Sequence, residues 1–267
     1  MDAIELAGAV RMFAGGAGVG PFDLTIAAGE FVSVVGPSGC GKSLLVDLIG
    51  GLLACDAGTV TVGGAPVRGP SVNRQIVFQD GELFPWLTVE ENVAYGLRAR
   101  AESPAKIVSA VQTLLQITRL AKVAHLYPHE LSSSMRQRTA IARALVLRPP
   151  VLLLDDPFAA LDEVTRSIMQ REIADLWELM SSTTVLVTHS VPEACLLGDR
   201  VIVLTAGPGR VAKIVDVRAP RPRTLDGIAG VVEAVGRELR AQVHERGDDH
   251  ESLAGTMVHR IRPHPLG

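Results

Sequence analysis

The stretch Gly36-Pro37-Ser38-Gly39-Cys40-Gly41-Lys42-Ser43 decides the fold of this 267-residue chain. It fits G-x-x-x-x-G-K-[ST]. It also lies where that pattern has to lie, behind the apolar run 31–35, which reads as a strand, and ahead of a helical run 42–49. Glycines let backbone N–H groups curl around phosphates, and the helix N-terminus adds partial positive charge. In that setting Lys42 reaches the β and γ phosphates of ATP, and Ser43 offers a hydroxyl to Mg2+. Cys40 reads as backbone filler rather than a nucleophile.

Working outward, residues 4–10 and 22–26 are β-rich runs bounded by glycine, and 59–62 and 75–78 are two more, separated by Gly63, Gly64, Pro66 and Pro70. From Val89 the apolar period becomes helical, through Val93 and Leu97, and then through Ile107, Val111, Leu114, Leu115 and Ile117. This helical insert, about 88–147, ends in a helix from about 134. The run 151–154 is apolar without alternation, as in a strand buried on both faces. Helix 163–180, strand 184–187, helix 192–197 and strand 200–204 then alternate, which predicts a parallel sheet. The architecture is α/β with a helical insert. Asp155 and Asp156 follow the buried strand 151–154, which delivers a carboxylate rigidly to a Mg2+ beside the phosphates. Asp155 is the metal-side acid in this reading and Asp156 is placed to polarise water; acids that merely cap a strand are the alternative. Residues 1–217 form the nucleotide-binding unit, 218–226 a basic proline-containing linker, 227–246 a C-terminal helix and 247–267 a loose tail.

Composition narrows the classes. The formal net charge is −3, and Lys and Arg are scattered rather than striped, so no nucleic-acid partner is expected. No apolar run approaches the 18 or so residues of a spanning helix, and the first ten residues contain Asp2 and Glu5 rather than a signal pattern. Cys40, Cys55 and Cys195 lie far apart with no C-x-x-C pair, which suits a reducing, cytoplasmic compartment and argues against zinc.

Gln79 after a strand, Leu131-Ser132-Ser133-Ser134-Met135 before a helix, Ala160-Leu161-Asp162, and Thr188-His189 after another strand complete a constellation that resembles an ABC transporter ATPase over roughly residues 4–217. The resemblance implies an ABC-type P-loop nucleotide-binding domain with an antiparallel β subdomain, a parallel core sheet and the helical insert. It extends the phosphate loop, Gly36, Pro37, Ser38, Gly39, Cys40, Gly41, Lys42 and Ser43, to Leu44. It gives Phe13 the role of stacking on adenine, Gln79 that of sensing Mg2+ and the attacking water, Asp156 that of general base and His189 that of the switch contacting the γ-phosphate. Bland readings stand beside these: Phe13 as core, Gln79 as a polar strand end, His189 as a helix-cap neighbour. Leu131, Ser132, Ser133, Ser134 and Met135 would act in trans on ATP held by a second ATPase subunit, a homodimer being the expected form, and Leu161 and Asp162 would lie in the dimer loop.

Residues 83–93 and 127–132, together with the basic segment 218–223, are similar to importer subunits of the nitrate, sulfonate and taurine group. That likeness implies a peripheral subunit on the cytoplasmic face of the membrane. Its partners would be two membrane-spanning permease subunits and, indirectly, an extracytoplasmic substrate-binding protein. Phe84 and Trp86 would then dock the permease, or else staple the insert to the sheet.

Three departures from the family pattern bear on turnover. Ser133 and Ser134 stand where the signature has glycines, which allow unusual φ/ψ and close approach. Asp156 replaces a glutamate and retracts its carboxylate by about 1.5 Å, where a misplacement of about 1 Å costs on the order of a hundredfold in rate. Leu44 replaces a hydroxyl residue, removing a contact worth roughly 1 kcal/mol. These features motivate a rival reading, a poorly hydrolysing subunit with a regulatory or assembly role. A soluble ABC ATPase acting on DNA or ribosomes lacks support, with one cassette and no basic stripe.

Overall fold

A computed structural model describes residues 2–79, 81–159 and 161–258. Two sheets form it. Strands β1 (Ile4–Met12), β2 (Gly18–Ile26), β4 (Ala57–Val62) and β5 (Ala65–Pro66) make an antiparallel sheet in the order β2-β1-β4-β5. Strands β3 (Phe31–Val35), β6 (Arg74–Val77), β7 (Val151–Asp155), β8 (Thr183–Val187), β9 (Arg200–Leu204) and β10 (Val211–Asp216) make the second, in the order β10-β9-β3-β8-β7-β6. All its pairings are parallel except that of β9 with the edge strand β10. β3 and β8 are buried along their whole length, so they show unbroken apolar or small residues rather than alternation.

Helix α1 (Lys42–Gly50) fills the space between the sheets, packing Leu45, Val46 and Ile49 against Ile4, Phe22 and Ile26 on one side and Val32, Val34 and Leu153 on the other. The opposite face of the parallel sheet is covered by α4 (Ser133–Leu145) and α5 (Glu163–Met180), through Ile141, Leu145, Met169 and Ile173. The helical lobe adds α2 (Val89–Ala99) and α3 (Pro104–Ile117), whose Val93, Leu97, Val111 and Leu115 meet Leu131 and Val146. A capping box starts α2: Thr88 accepts from the Glu91 backbone N–H at 3.3 Å, and Glu91 accepts from the Thr88 backbone N–H at 2.9 Å.

Helices α6 (Val191–Leu197) and α7 (Ala229–Val258) close the β9 side, with Cys195, Val201, Val203, Ile228 and Val235 in contact. α7 runs past residue 246, into the stretch read as loose; residues 259–267 of that stretch lie outside the described residues. The segment 218–226, read as a linker, is fastened to the core. Arg223, with a side chain only 3% exposed, donates to the carbonyls of Gly198 (2.6 Å) and Ala219 (2.9 Å). Arg221 lies over the Trp177 ring at 4.0 Å and donates to the Leu197 carbonyl. Asp199 Oδ1 accepts from both arginines, at 2.9 and 3.2 Å, while its Oδ2 accepts from the Phe31 N–H at 3.1 Å. The proline-rich spacing that reads as a spacer therefore delivers two guanidinium groups to one carboxylate.

Asp199→Ala removes the counter-charge of two largely buried arginines. Because Asp199 itself is partly exposed, the expected loss is about 1–3 kcal/mol rather than the full cost of breaking a buried pair. Thermal unfolding should shift down by several degrees, and limited proteolysis should cut first within 218–226.

Candidate nucleotide site

The phosphate loop, the acids and the histidine all leave the C-terminal ends of neighbouring parallel strands. β3 runs into Gly36, β7 ends in Asp155, and β8 is followed by Thr188 and His189, with Val34 opposite Val187 and Asp155 opposite Val187 on the other side. Gln79, exposed, follows β6, whose Val77 pairs with Leu154. Such strand ends are where open α/β sheets bind ligands.

Gly41, the N-cap of α1, has φ 98° and ψ 23°, and its side-chain position is taken by Val19 of β2. Only glycine meets both demands. No side chain caps the amides of this first turn, which leaves them to an anion. Leu44 packs back onto the core and offers no polar side chain to phosphate. Lys42 is 5% exposed; its Nζ donates to the Gly36 carbonyl at 2.9 Å and the Pro37 carbonyl at 3.1 Å. Burial pulls the Lys42 pKa below its usual value, and Cys40, Asp156 and Asp155 pull it back up.

The Ser43 hydroxyl donates to the Asp155 carboxylate. Burial pushes the Asp155 carboxyl above its ordinary range; the Ser43 bond opposes, Asp156 adds to the rise, and Lys42 and His189 oppose. Asp47, one turn along α1 from Ser43, is raised as well, first by burial and then by Asp155. One hydroxyl beside one carboxylate, with a second acid close by, is a donor set suited to Mg2+ held jointly with nucleotide phosphates. Among the described residues no cluster of three or more His, Cys, Asp or Glu forms a self-sufficient metal cage.

Asp156 adopts φ 45°, a left-handed conformation that aspartate tolerates better than most residues. Its N–H donates to the Val187 carbonyl at 2.8 Å, its Oδ1 accepts from the Thr188 hydroxyl at 3.4 Å, and its Oδ2 lies 4.0 Å from His189 Nε2. His189 is exposed, and Ser190, not His189, caps α6.

Phe13 is 40% exposed at the end of β1, not core, and the Arg11 guanidinium lies 5.0 Å from its ring centroid. The signature sits elsewhere, in the helical lobe: Leu131 is buried, Ser132 caps α4 by accepting from the Met135 N–H at 3.2 Å, and Met135 packs on the helical core. Neither Ser133 nor Ser134 has a positive φ. The expected backbone need for glycine is therefore corrected: α4 begins at Ser133, an ordinary helical position, and only close approach by another chain distinguishes serine from glycine there. Asp162 caps α5 by accepting from the Thr165 N–H at 2.9 Å, and Arg166 donates to the carbonyl of buried Leu161 at 2.9 Å; Ala160 lies outside the described residues. The two aromatic residues part company. Phe84 packs 4.5 Å from the Tyr95 ring and under Arg143, and its backbone is held by Asn92, so it staples the lobe; Trp86 stands 69% exposed.

A profile of the ABC transporter family matches residues 19–159. The chain belongs to that family. The aliphatic sulfonates import ATP-binding protein SsuB of Bacillus subtilis is 40% identical over 238 residues, covering 88% of this chain and 90% of that protein. The taurine import ATP-binding protein TauB of Pelagibacter ubique is 42% identical over 191 residues, 72% of each chain. A dimeric ATP-binding cassette solved in a post-hydrolysis state with ADP and Pi superposes with a TM-score of 0.74 at 31% identity, over 81% of this chain and all of that one. The chain is thus an ATP-binding ABC cassette, and among its described residues no helix is long and apolar enough to cross a membrane.

Sequence reasoning missed Glu193, in the cassette's α6. It is 3% exposed, accepts from Gln170 Nε2 at 2.8 Å, and its carboxyl is pushed up first by burial, against the nearby Thr188 hydroxyl and Gln170 and together with Asp156. The Ser190-x-x-Glu193 spacing reads as a capping box, which would have turned the carboxylate outward; Ser190 does cap the Glu193 N–H at 3.3 Å, but the carboxylate faces inward to Gln170. A carboxyl raised in the fold stabilises it below the ordinary glutamate pKa, and that contribution is lost as pH rises through the folded value. Glu193→Gln, which keeps an acceptor for Gln170 but cannot ionise, should therefore melt progressively higher than the natural chain between pH 4.5 and 7.5. A melting difference that is flat with pH would contradict a proton held on Glu193.

Proposed function

We propose that this chain is the ATP-hydrolysing subunit of an importer for small anions of the nitrate, sulfonate or taurine kind, working as a dimer on the cytoplasmic face of two permease subunits. An extracytoplasmic binding protein would supply the substrate. The observation that carries this reading is the convergence of Lys42, Ser43, Asp155, Asp156 and His189 at one end of the parallel sheet, in a chain similar along most of its length to sulfonate and taurine import subunits. Trp86, exposed next to the Phe84 staple, is the candidate contact for a permease segment.

In this reading the Gly36–Ser43 amides and Lys42 hold the β and γ phosphates, and Phe13 stacks on the adenine. Ser43, Asp155 and Gln79 would hold Mg2+, which supplies charge neutralisation on the phosphates. Asp156 takes a proton from the attacking water, and His189, across from it, contacts the γ-phosphate. Ser132, Ser133 and Ser134 approach that phosphate from the second subunit, and Leu161 and Asp162 line the joint between subunits.

Lys42→Ala should abolish ATP binding detectable by fluorescent-nucleotide titration while leaving the fold, read by circular dichroism, in place. Unchanged affinity would overturn the assignment of the loop. Asp156→Glu should raise steady-state hydrolysis at least tenfold, a barrier change of only about 1.4 kcal/mol and small beside the penalty for a retracted base. If the natural chain already turns over as fast as the variant, its short acid is no handicap.

A further inference from the structure

We propose that Arg11, clamped by Asp56, is a positioning residue that backs the Phe13 ring and thereby sets its grip on the nucleobase. The inference rests on the stacking role of Phe13 proposed above and adds to it the device that orients the ring. Phe13 is poorly packed by apolar neighbours at its exposed site, where it opens a turn by donating its N–H to the Ala17 carbonyl at 2.7 Å. Something else must hold its plane.

Arg11 does so from a fixed base. Its Nη1 lies 2.6 Å from Asp56 Oδ1, and the other carboxylate oxygen accepts from the Met12 N–H at 2.8 Å. The Asp56 N–H in turn donates to the Val10 carbonyl at 2.8 Å. One aspartate thus ties the arginine side chain and the backbone on both sides of it, immediately ahead of Phe13. The Met12 bond holds the Asp56 carboxyl below the usual range; burial opposes it, and Arg11 adds to the lowering. The guanidinium carbon stands 5.0 Å from the ring centroid, within cation–π range.

The sheet order says which side of the ring is backed. β1 lies between β2 and β4, and Asp56 directly precedes β4, so the guanidinium is drawn toward the β4 side. The phosphate loop meets the sheet on the β2 side, where Gly41 packs on Val19. A base attached to phosphates held by Gly36–Ser43 reaches Phe13 from the β2 side and leaves Arg11 on the far side. A ring already fixed loses less freedom when the base stacks on it, and that preorganisation appears as affinity.

Titration of the full chain with MgATP and with magnesium tripolyphosphate, which has the phosphates but no base, tests this. Arg11→Gln should weaken ATP binding about 3- to 10-fold and leave tripolyphosphate unchanged. Asp56→Asn, which releases the clamp by removing its charge, should act in the same direction, and Arg11→Gln should cost nothing further in a Phe13→Ala background. The proposal is overturned if Arg11→Gln leaves ATP affinity unchanged or tightens it, if both ligands weaken together, or if its effect adds in full to that of Phe13→Ala. Phe13→Ala without effect on ATP would bring down the stacking reading and this inference with it. A weakened Phe13→Ala beside an unaffected Arg11→Gln sinks the inference alone.

Discussion

The phosphate loop is pressed between two backbones, and the rest of the site depends on that squeeze. On one side β2 brings Gly18 and Val19 against Gly41; on the other the turn between β9 and β10 brings Gly209 against the Cys40 carbonyl, where a β-carbon would collide. Those flanking segments are themselves joined, the Gly20 N–H donating to the Gly209 carbonyl at 2.8 Å and the Gly209 N–H to the Gly18 carbonyl at 3.3 Å. The antiparallel sheet and the edge of the parallel sheet thus meet where the loop needs support, and glycine recurs there because backbone must touch backbone.

Within that frame the charges are unbalanced in a way that suits a polyanion with its cation. Burial raises Asp155 and Asp47 and lowers Lys42, so each group is held where its charged form is disfavoured. In the proposed site, phosphates near Lys42 would favour the ammonium, and a divalent cation near Ser43 and Asp155 would favour the carboxylate. Ligand and residues would then relieve each other, which would couple stability of the loop to affinity for nucleotide.

What could be read in the sequence follows from how local its physics is. The strand–loop–helix around Lys42 and the buried run 151–154 announce themselves because burial on two faces forces unbroken apolar residues. β10 did not: an edge strand with Lys213 and Asp216 partly in solvent has no such pattern, and β5 is two residues long with a proline. The seating of 218–226 was hidden for a different cause, since a basic proline segment looks the same whether its arginines face water or, as Arg221 and Arg223 do, meet Asp199 and Trp177 from elsewhere in the chain. Ser133 and Ser134 were misjudged because a departure from a glycine pattern suggests strained backbone, whereas both lie in plain helix. Glu193 and the pairing of Arg11 with Asp56 needed tertiary contacts that no spacing encodes.

In the proposed mechanism Asp156 separates binding from turnover. In the proposed site the phosphate loop and Lys42 belong to β3 and the first turn of α1, while the acid that would activate water belongs to the end of β7 and answers to β8: its N–H to Val187, its carboxylate to Thr188 and across to His189. Thr188 also reaches Glu193, whose carboxyl is pushed up by burial and, in part, by Asp156 itself. In the proposed mechanism a shortened side chain at residue 156 would change reach without touching the phosphate loop, so turnover would be set at the β7–β8 edge and affinity chiefly at β3.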